Sequence, residues 1–74
     1  MSEHHINASG LLCPLPVIRT QDAIKKLKTG DVLDVQATDP GALVDIPAWC
    51  RVHGHDLIGV KDEERTYLFR IRVC

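Results

Sequence analysis

The feature that most constrains the fold is a strict alternation of side chains near the C-terminus of this 74-residue chain. Between residues 66 and 73, Tyr67, Phe69, Ile71 and Val73 alternate with a second set that is polar except for one leucine: Thr66, Leu68, Arg70 and Arg72. Successive side chains of a strand point to opposite faces, so the apolar residues share one face. That face has to be covered, whereas the other can meet water. The pattern therefore predicts a sheet with helices packed on one side only.

The rest of the chain predicts the order β-α-β-α-β-β. The predicted strands are residues 5–8, 31–38, 57–61 and 66–73, with a charged turn at 62–65 before the last one. The first helix is expected to begin near Pro14 and to end at a left-handed cap at Gly30. The second helix follows Asp39–Gly41 and ends at Gly54. We expect it to be interrupted or restarted at Asp45, a capping residue, because Pro47 suits a first helical turn.

Right-handed crossovers would place both helices on the same face of one sheet. We therefore predict an α/β two-layer sandwich, a four-stranded mixed sheet with two helices on one face, and a single domain over residues 1–74. A chain of this size buries only about 60–65% of its unfolded surface, which leaves little interior for a cofactor. Chemistry is expected on the surface.

Charge and composition exclude several classes of function. Nine basic residues against ten acidic ones give a net charge of −1, and only three residues are aromatic. A nucleic-acid binder normally has a basic excess or a platform of aromatic side chains, so we expect no direct nucleic-acid binding. Neither a signal peptide nor an apolar run long enough for a membrane is present in the sequence. We predict a cytoplasmic protein that does not bind membranes.

The segment that carries chemistry is Cys13-Pro14-Leu15-Pro16. It places a cysteine at the N-cap or first position of a helix, where the helix dipole and free N–H groups should lower the pKa of the thiol. Pro14 and Pro16 both fit the first turn. Proline at position 16 also takes the place of a resolving cysteine, so Cys13 cannot close a local disulfide and suits the transfer of a group between thiols. The alternative is that Cys13 is a small buried apolar residue.

The sequence resembles the TusA/SirA family of small sulfur-carrier proteins over nearly its whole length. The segments that carry the resemblance are residues 10–17 (GLLCPLPV), 30–33 (GDVL), 39–50 (DPGALVDIPAWC) and 54–57 (GHDL). The resemblance implies a sulfurtransferase that carries sulfane sulfur as a persulfide on Cys13, as a carrier rather than a multi-turnover enzyme. Asn7 and Val44 depart from the family, since an acidic and a basic residue are common there. Both departures concern the choice of partner.

Partners and pathways follow from the same resemblance. A cysteine desulfurase or a rhodanese would load Cys13, and a downstream relay protein with an acceptor cysteine, such as a DsrE/TusD-like protein, would take the sulfur. Such relays feed tRNA thiolation, molybdenum cofactor synthesis or sulfur oxidation. We expect a monomer, and we expect the chemistry to need no metal, general base or cofactor.

Other residues invite weaker hypotheses. Cys50 is a possible secondary thiol, although free cysteines are usually packed in cores, and Cys74 is a tail thiol. His53 follows Cys50 at helical spacing, but a zinc site needs four converging ligands and we predict none. Arg19 and Lys26 belong to a basic face of the first helix that could dock acidic partners or could simply be solvated.

Two other functions remain open at this stage. The domain could be a non-catalytic regulatory adaptor, in which Cys13 is incidental. It could also be a thiol redox protein that pairs Cys13 with Cys50 or Cys74.

Overall fold

The computed structural model describes residues 2–74. The secondary structure elements follow the predicted order: β1 (Glu3–Ala8), α1 (Leu15–Ile24), β2 (Val32–Ala37), α2 (Ala42–His53), β3 (Asp56–Glu63) and β4 (Thr66–Arg72). The strands form one sheet in the order β1-β2-β4-β3. β1 and β2 are parallel, whereas β4 is antiparallel to both β2 and β3. The predicted mixed sheet is confirmed.

Both helices pack on one face of this sheet, as the alternation in β4 predicted. A single apolar cluster joins Ile24 of α1 and Ile46 of α2 to the inward side chains of β2 and β4. Leu33 of β2 and Phe69 of β4 are among its largest fully buried members. The neighbouring residues Asp34 and Arg70 lie on the other face of the sheet, where they form an ion pair. The two-layer sandwich is therefore confirmed.

α1 is shorter than predicted. It ends at Ile24 instead of reaching Gly30, and the chain tightens there because the Lys26 and Leu27 N–H groups donate to carbonyls three residues back. Gly30 has φ +95° and its N–H donates to the Val73 carbonyl at 2.8 Å. Gly30 thus turns the chain into β2 rather than capping the helix.

α2 differs from the prediction in the opposite sense, because it is continuous. It runs through Pro47, and its N-cap is Gly41, so the expected interruption at Asp45 is wrong. Asp45 lies in the first turn and does not cap. The predicted end of the helix at Gly54 is confirmed, since Gly54 is the C-cap with φ +76°.

The hairpin between β3 and β4 is tighter than predicted. β3 extends to Glu63, so the turn consists of Glu64 and Arg65 rather than residues 62–65. Both turn residues have positive φ, +48° and +70°. Two-residue turns of this kind match the twist of antiparallel strands, which lets the ladder continue to the turn itself. Within residues 2–74, neither helix has the length and apolar character that a membrane crossing requires.

Candidate active site

Cys13 lies in the loop between β1 and α1, at the end of the sheet where the parallel strands β1 and β2 both finish. The segment that follows β2 meets this loop, because the Gly10 N–H donates to Thr38 Oγ1 at 2.8 Å. The Cys13 N–H donates to Asp39 Oδ2 at 2.9 Å. Its thiol donates to the carboxylate of Asp45 in α2. The side chain of Cys13 is exposed to solvent while two neighbouring segments hold it in place.

The start of α1 stabilises a thiolate on Cys13 less than the sequence predicts. The N-cap is Pro14 and the helix begins at Leu15, so Cys13 precedes both predicted positions. Pro14 and Pro16 have no N–H, and the Leu15 N–H donates to the Leu12 carbonyl at 2.9 Å. The start of α1 therefore offers the sulfur few of the N–H groups that make other helix termini anion sites.

The pKa of the Cys13 thiol is raised from its ordinary value, so the predicted lowering is wrong. The main cause is the hydrogen bond from the thiol to Asp45, which only the protonated sulfur can donate. Partial desolvation and the negative charges of Asp45 and Asp39 act in the same direction. The helix dipole places only about half an elementary positive charge at the start of a helix, whereas each carboxylate carries a full negative charge.

A glycine allows the close approach between Cys13 and the segment after β2. A Cβ added to Gly41 would lie 3.4 Å from the Cβ of Cys13 and 3.0 Å from Asp39 Oδ2. The second distance is too short for ordinary packing. Gly41 has φ −59°, which any residue can adopt, so space around Cys13 rather than backbone conformation favours glycine here.

The two prolines of the motif differ in their surroundings. Pro14 is exposed, whereas Pro16 is buried at the start of α1. The Pro16 carbonyl accepts a hydrogen bond from the buried hydroxyl of Thr20 at 2.8 Å. This bond lies within α1 and joins Pro16 to the next turn of the helix, directly after the loop that carries Cys13.

The other two thiols lie away from Cys13. Cys50 is only 2% exposed and belongs to the core, and this burial raises the pKa of its thiol to about 11. Cys74 is exposed at the opposite end of the sheet, where its N–H donates to His55 Nδ1 at 3.1 Å. The packed interpretation of Cys50 thus agrees with the structure.

The histidines of this region contact Trp49 instead of converging. The His53 and His55 rings lie 4.7 Å and 5.3 Å from the indole ring, between centroids. Burial lowers the pKa of His55, and the nearby His53 lowers it further. No group of three or more metal-ligating side chains comes together within residues 2–74.

Arg19 and Lys26 are brought together by the structure. They line one shallow groove between α1 and β1, and Asn7 and Asp22 line it too. The departure at Asn7 thus lies beside the predicted docking residues. Val44, the other departure, precedes Asp45 on α2 and is 71% exposed.

Sequence reasoning missed Asp39 and Asp45, whose carboxylates accept hydrogen bonds from the N–H and the thiol of Cys13. The missed signal was the topology: β1 and β2 were both expected to lead into helices, so the loops that follow them had to meet at one edge of the sheet. Asp39 opens the second of these loops. Asp45 was interpreted as a helix cap, so its hydrogen bond with Cys13 was not anticipated.

The fold is that of the SirA-like proteins. The crystal structure of the SirA-like protein from Desulfitobacterium hafniense matches with a TM-score of 0.82, over 93% of this chain and 95% of that one, at 23% identity. The family model described as Sulfurtransferase TusA matches residues 4–73. The chain therefore belongs to the TusA family of sulfurtransferases.

Individual relatives agree with this assignment. YrkI of Bacillus subtilis (strain 168) is 45% identical over 71 residues, which cover 96% of this chain and 95% of YrkI. The sulfur carrier protein TusA of Pseudomonas entomophila (strain L48) is 45% identical over 67 residues, or 90% of this chain and 84% of that protein. The resemblance drawn from the sequence motifs is confirmed.

Proposed function

We propose that this protein carries sulfane sulfur as a persulfide on Cys13 and passes it to the cysteine of an acceptor protein. The observation that carries the proposal is the position of Cys13: its exposed thiol lies where β1 and β2 end, in the Cys-Pro-Leu-Pro segment that resembles the family's signature and inside the matched residues 4–73. Family membership supplies the sulfur chemistry. The setting is the cytoplasm, where thiols stay reduced.

The chemistry is thiol exchange and is balanced without an oxidant. The Cys13 sulfur attacks the outer sulfur of a donor persulfide, such as one on a cysteine desulfurase or a rhodanese. The donor's sulfur–sulfur bond breaks and its inner sulfur leaves with the electron pair. An acceptor thiolate, for instance on a DsrE/TusD-like relay protein, then attacks the outer sulfur on Cys13. Cys13 leaves as a thiolate and the carrier is regenerated.

The surface around Cys13 suits a protein donor and a protein acceptor. Leu12 and Val44 are 70% and 71% exposed, and they directly precede Cys13 and Asp45 in the chain. Leu15 is 43% exposed on the first turn of α1. Large apolar side chains clustered at a surface are typical of protein contacts. We assign Arg19 and Lys26, which line the groove between α1 and β1, to a second docking region that would steer acidic partners.

The arrangement of the thiols argues against a redox function. Cys50 is buried in the core and Cys74 lies at the other end of the sheet. A disulfide needs the two Cα atoms within about 7 Å of each other. Pairing with Cys50 would require that buried thiol to leave the core, and pairing with Cys74 would have to join opposite ends of the sheet.

The first prediction tests the sulfur site by intact-protein mass spectrometry after anaerobic incubation with polysulfide and with a cysteine-charged cysteine desulfurase. We expect the unmodified protein to gain one sulfur atom that reductant removes. Cys13→Ser should lose this gain completely, because no other exposed thiol lies at the site. Cys74→Ser is the matched control, since it removes an exposed thiol remote from the site, and should still load.

Either of two results would contradict the proposal. Loading that persists in Cys13→Ser would move the site to another thiol. Absence of loading from both donors, while partner binding survives in Cys13→Ser, would favour the regulatory adaptor.

A further inference from the structure

The carboxylates beside Cys13 differ from the other carboxylates that make side-chain contacts. On the open face of the sheet, Glu3 and Asp34 pair with Arg70, and Asp56 pairs with Arg72. Asp39 and Asp45 belong to none of the ion pairs formed within residues 2–74. Their contacts with Cys13 are made through its N–H and its thiol. The reactive sulfur thus faces negative charge that no cation of the described chain balances.

The two contacts have different consequences for the sulfur. Asp39 accepts from the backbone N–H, so it holds the loop whether or not the thiol is ionised. Asp45 accepts from the thiol itself, and that bond is lost when the sulfur loses its proton. A thiolate at the same place would lie against a carboxylate of the same charge, which is unfavourable. Asp45 therefore favours one protonation state of Cys13.

We propose that Asp45 is the positioning residue that holds the unloaded Cys13 as a hydrogen-bonded thiol and restrains it from small electrophiles. The proposal deepens the proposed function and rests on it for the role of Cys13.

The proton is exchanged with solvent, so Asp45 takes no part in the transfer itself. Cys13 loses its proton to solvent before it attacks, and its hydrogen bond to Asp45 is broken at that step. The thiolate then forms the new sulfur–sulfur bond, and the electron pair of the broken bond leaves on the donor's inner sulfur. When Cys13 later leaves as a thiolate, it takes up a proton from solvent and the hydrogen bond to Asp45 forms again. No electron is gained or lost overall.

The charged groups that act on the sulfur come from two segments packed against it. Asp45 comes from α2, and Asp39 from the segment between β2 and α2. Both disfavour the thiolate, but only Asp45 accepts the hydrogen bond from the sulfur. Replacing Asp45 should therefore change the ionisation of Cys13 more than any other single replacement of a carboxylate.

The second prediction is tested by alkylation of Cys13 with iodoacetamide across the pH range from about 5 to 10. Peptide-level mass spectrometry assigns the label in a Cys74→Ser background. We expect Asp45→Asn to lower the midpoint of the pH profile by about one unit, which means roughly tenfold more thiolate at neutral pH. Because a less basic thiolate is also less nucleophilic, the rate at neutral pH should rise only about threefold.

Two variants separate this effect from a structural or a general charge effect. Asp45→Glu keeps the carboxylate, so the midpoint of Cys13 alkylation should stay close to that of the protein that retains Asp45. Asp62→Asn removes the same charge from exposed β3, the edge strand on the opposite side of the sheet from β1, and should leave the profile unchanged. Circular dichroism checks that each variant is folded.

The proposal is overturned if Asp45→Asn has the same pH profile as the protein that retains Asp45. It is also overturned if Asp62→Asn lowers the midpoint as much as Asp45→Asn does. Failure of the proposed function would look different. In that case polysulfide would not load Cys13 in the Asp62→Asn control, whatever the alkylation profiles show.

Discussion

The surface around Cys13 and the core around Cys50 raise the pKa of a thiol in two different ways. At Cys13 the main cause is a hydrogen bond to a carboxylate, and the sulfur remains exposed. At Cys50 the cause is burial, which takes the pKa to about 11. A carboxylate can be replaced, or neutralised by an approaching cation, while the protein stays folded. Burial can be removed only by opening the core, so of these two thiols Cys13 is the one that can be switched.

Our third prediction has the largest expected effect and concerns the rates at which iodoacetamide labels Cys13 and Cys50. At about pH 8 only about one Cys50 thiol in a thousand is ionised, and a reagent reaches it only when the core opens. We expect iodoacetamide to modify Cys50 more than about a hundredfold more slowly than Cys13. Peptide mapping after timed labelling measures both rates in one sample.

Unfolding supplies the control for this measurement. In concentrated guanidinium chloride, the difference in access disappears and the rates should converge to within a few fold. Rapid labelling of Cys50 in the folded protein would break the comparison, because it would place a second accessible thiol on α2.

The fourth prediction concerns stability and has a smaller expected effect. Cys50→Ala removes a sulfur atom that contacts the core and leaves a small cavity, so the free energy of unfolding should fall by about 1–2 kcal/mol. Cys13→Ala should leave it unchanged within experimental error, because the side chain is exposed. Urea denaturation followed by circular dichroism compares the two variants. Equal losses would mean that Cys13 also contributes to packing.

The sequence predicts the fold well where packing alone decides it. The alternation from Tyr67 to Val73 and the apolar face of residues 33, 35 and 37 fix which side of the sheet the helices cover. The ends of elements are less predictable, because they depend on contacts between distant segments. After α1 ends at Ile24, the Gly30 N–H donates to the carbonyl of Val73, a residue 43 positions further along the chain.

The site was predictable only in part, for a related reason. The motif identifies Cys13, but the ionisation of its thiol depends on Asp45, which is 32 positions away in the chain. The start of a helix contributes only one partial positive charge, and the two carboxylates that oppose it come from distant parts of the chain. Pro14 and Pro16 also lack the N–H groups that a helix terminus normally offers to an anion. The electrostatics of an exposed residue depend on its neighbours in space, and a single sequence specifies those only through the topology.

The fifth prediction has the smallest expected effect and separates the position of Cys13 from its charge environment. Gly41→Ala keeps both carboxylates and suits the backbone, since φ is −59°, so stability should change by less than about 0.5 kcal/mol. The added methyl group would lie 3.0 Å from Asp39 Oδ2 and 3.4 Å from the Cys13 Cβ, so the Asp39 carboxylate that holds the Cys13 N–H must give by a few tenths of an ångström. We expect this movement to draw Cys13 away from Asp45 and so to lower the midpoint for Cys13 alkylation, with a change smaller than in Asp45→Asn. The measurement is the same pH profile, with Gly59→Ala as the control, since a Cβ there meets only the Cβ of Arg70 at an ordinary 3.7 Å.

An unchanged profile in Gly41→Ala would mean that the loop accommodates the methyl group without moving the sulfur. In that case the carboxylate alone, and not the close packing of the loops, sets the reactivity of Cys13.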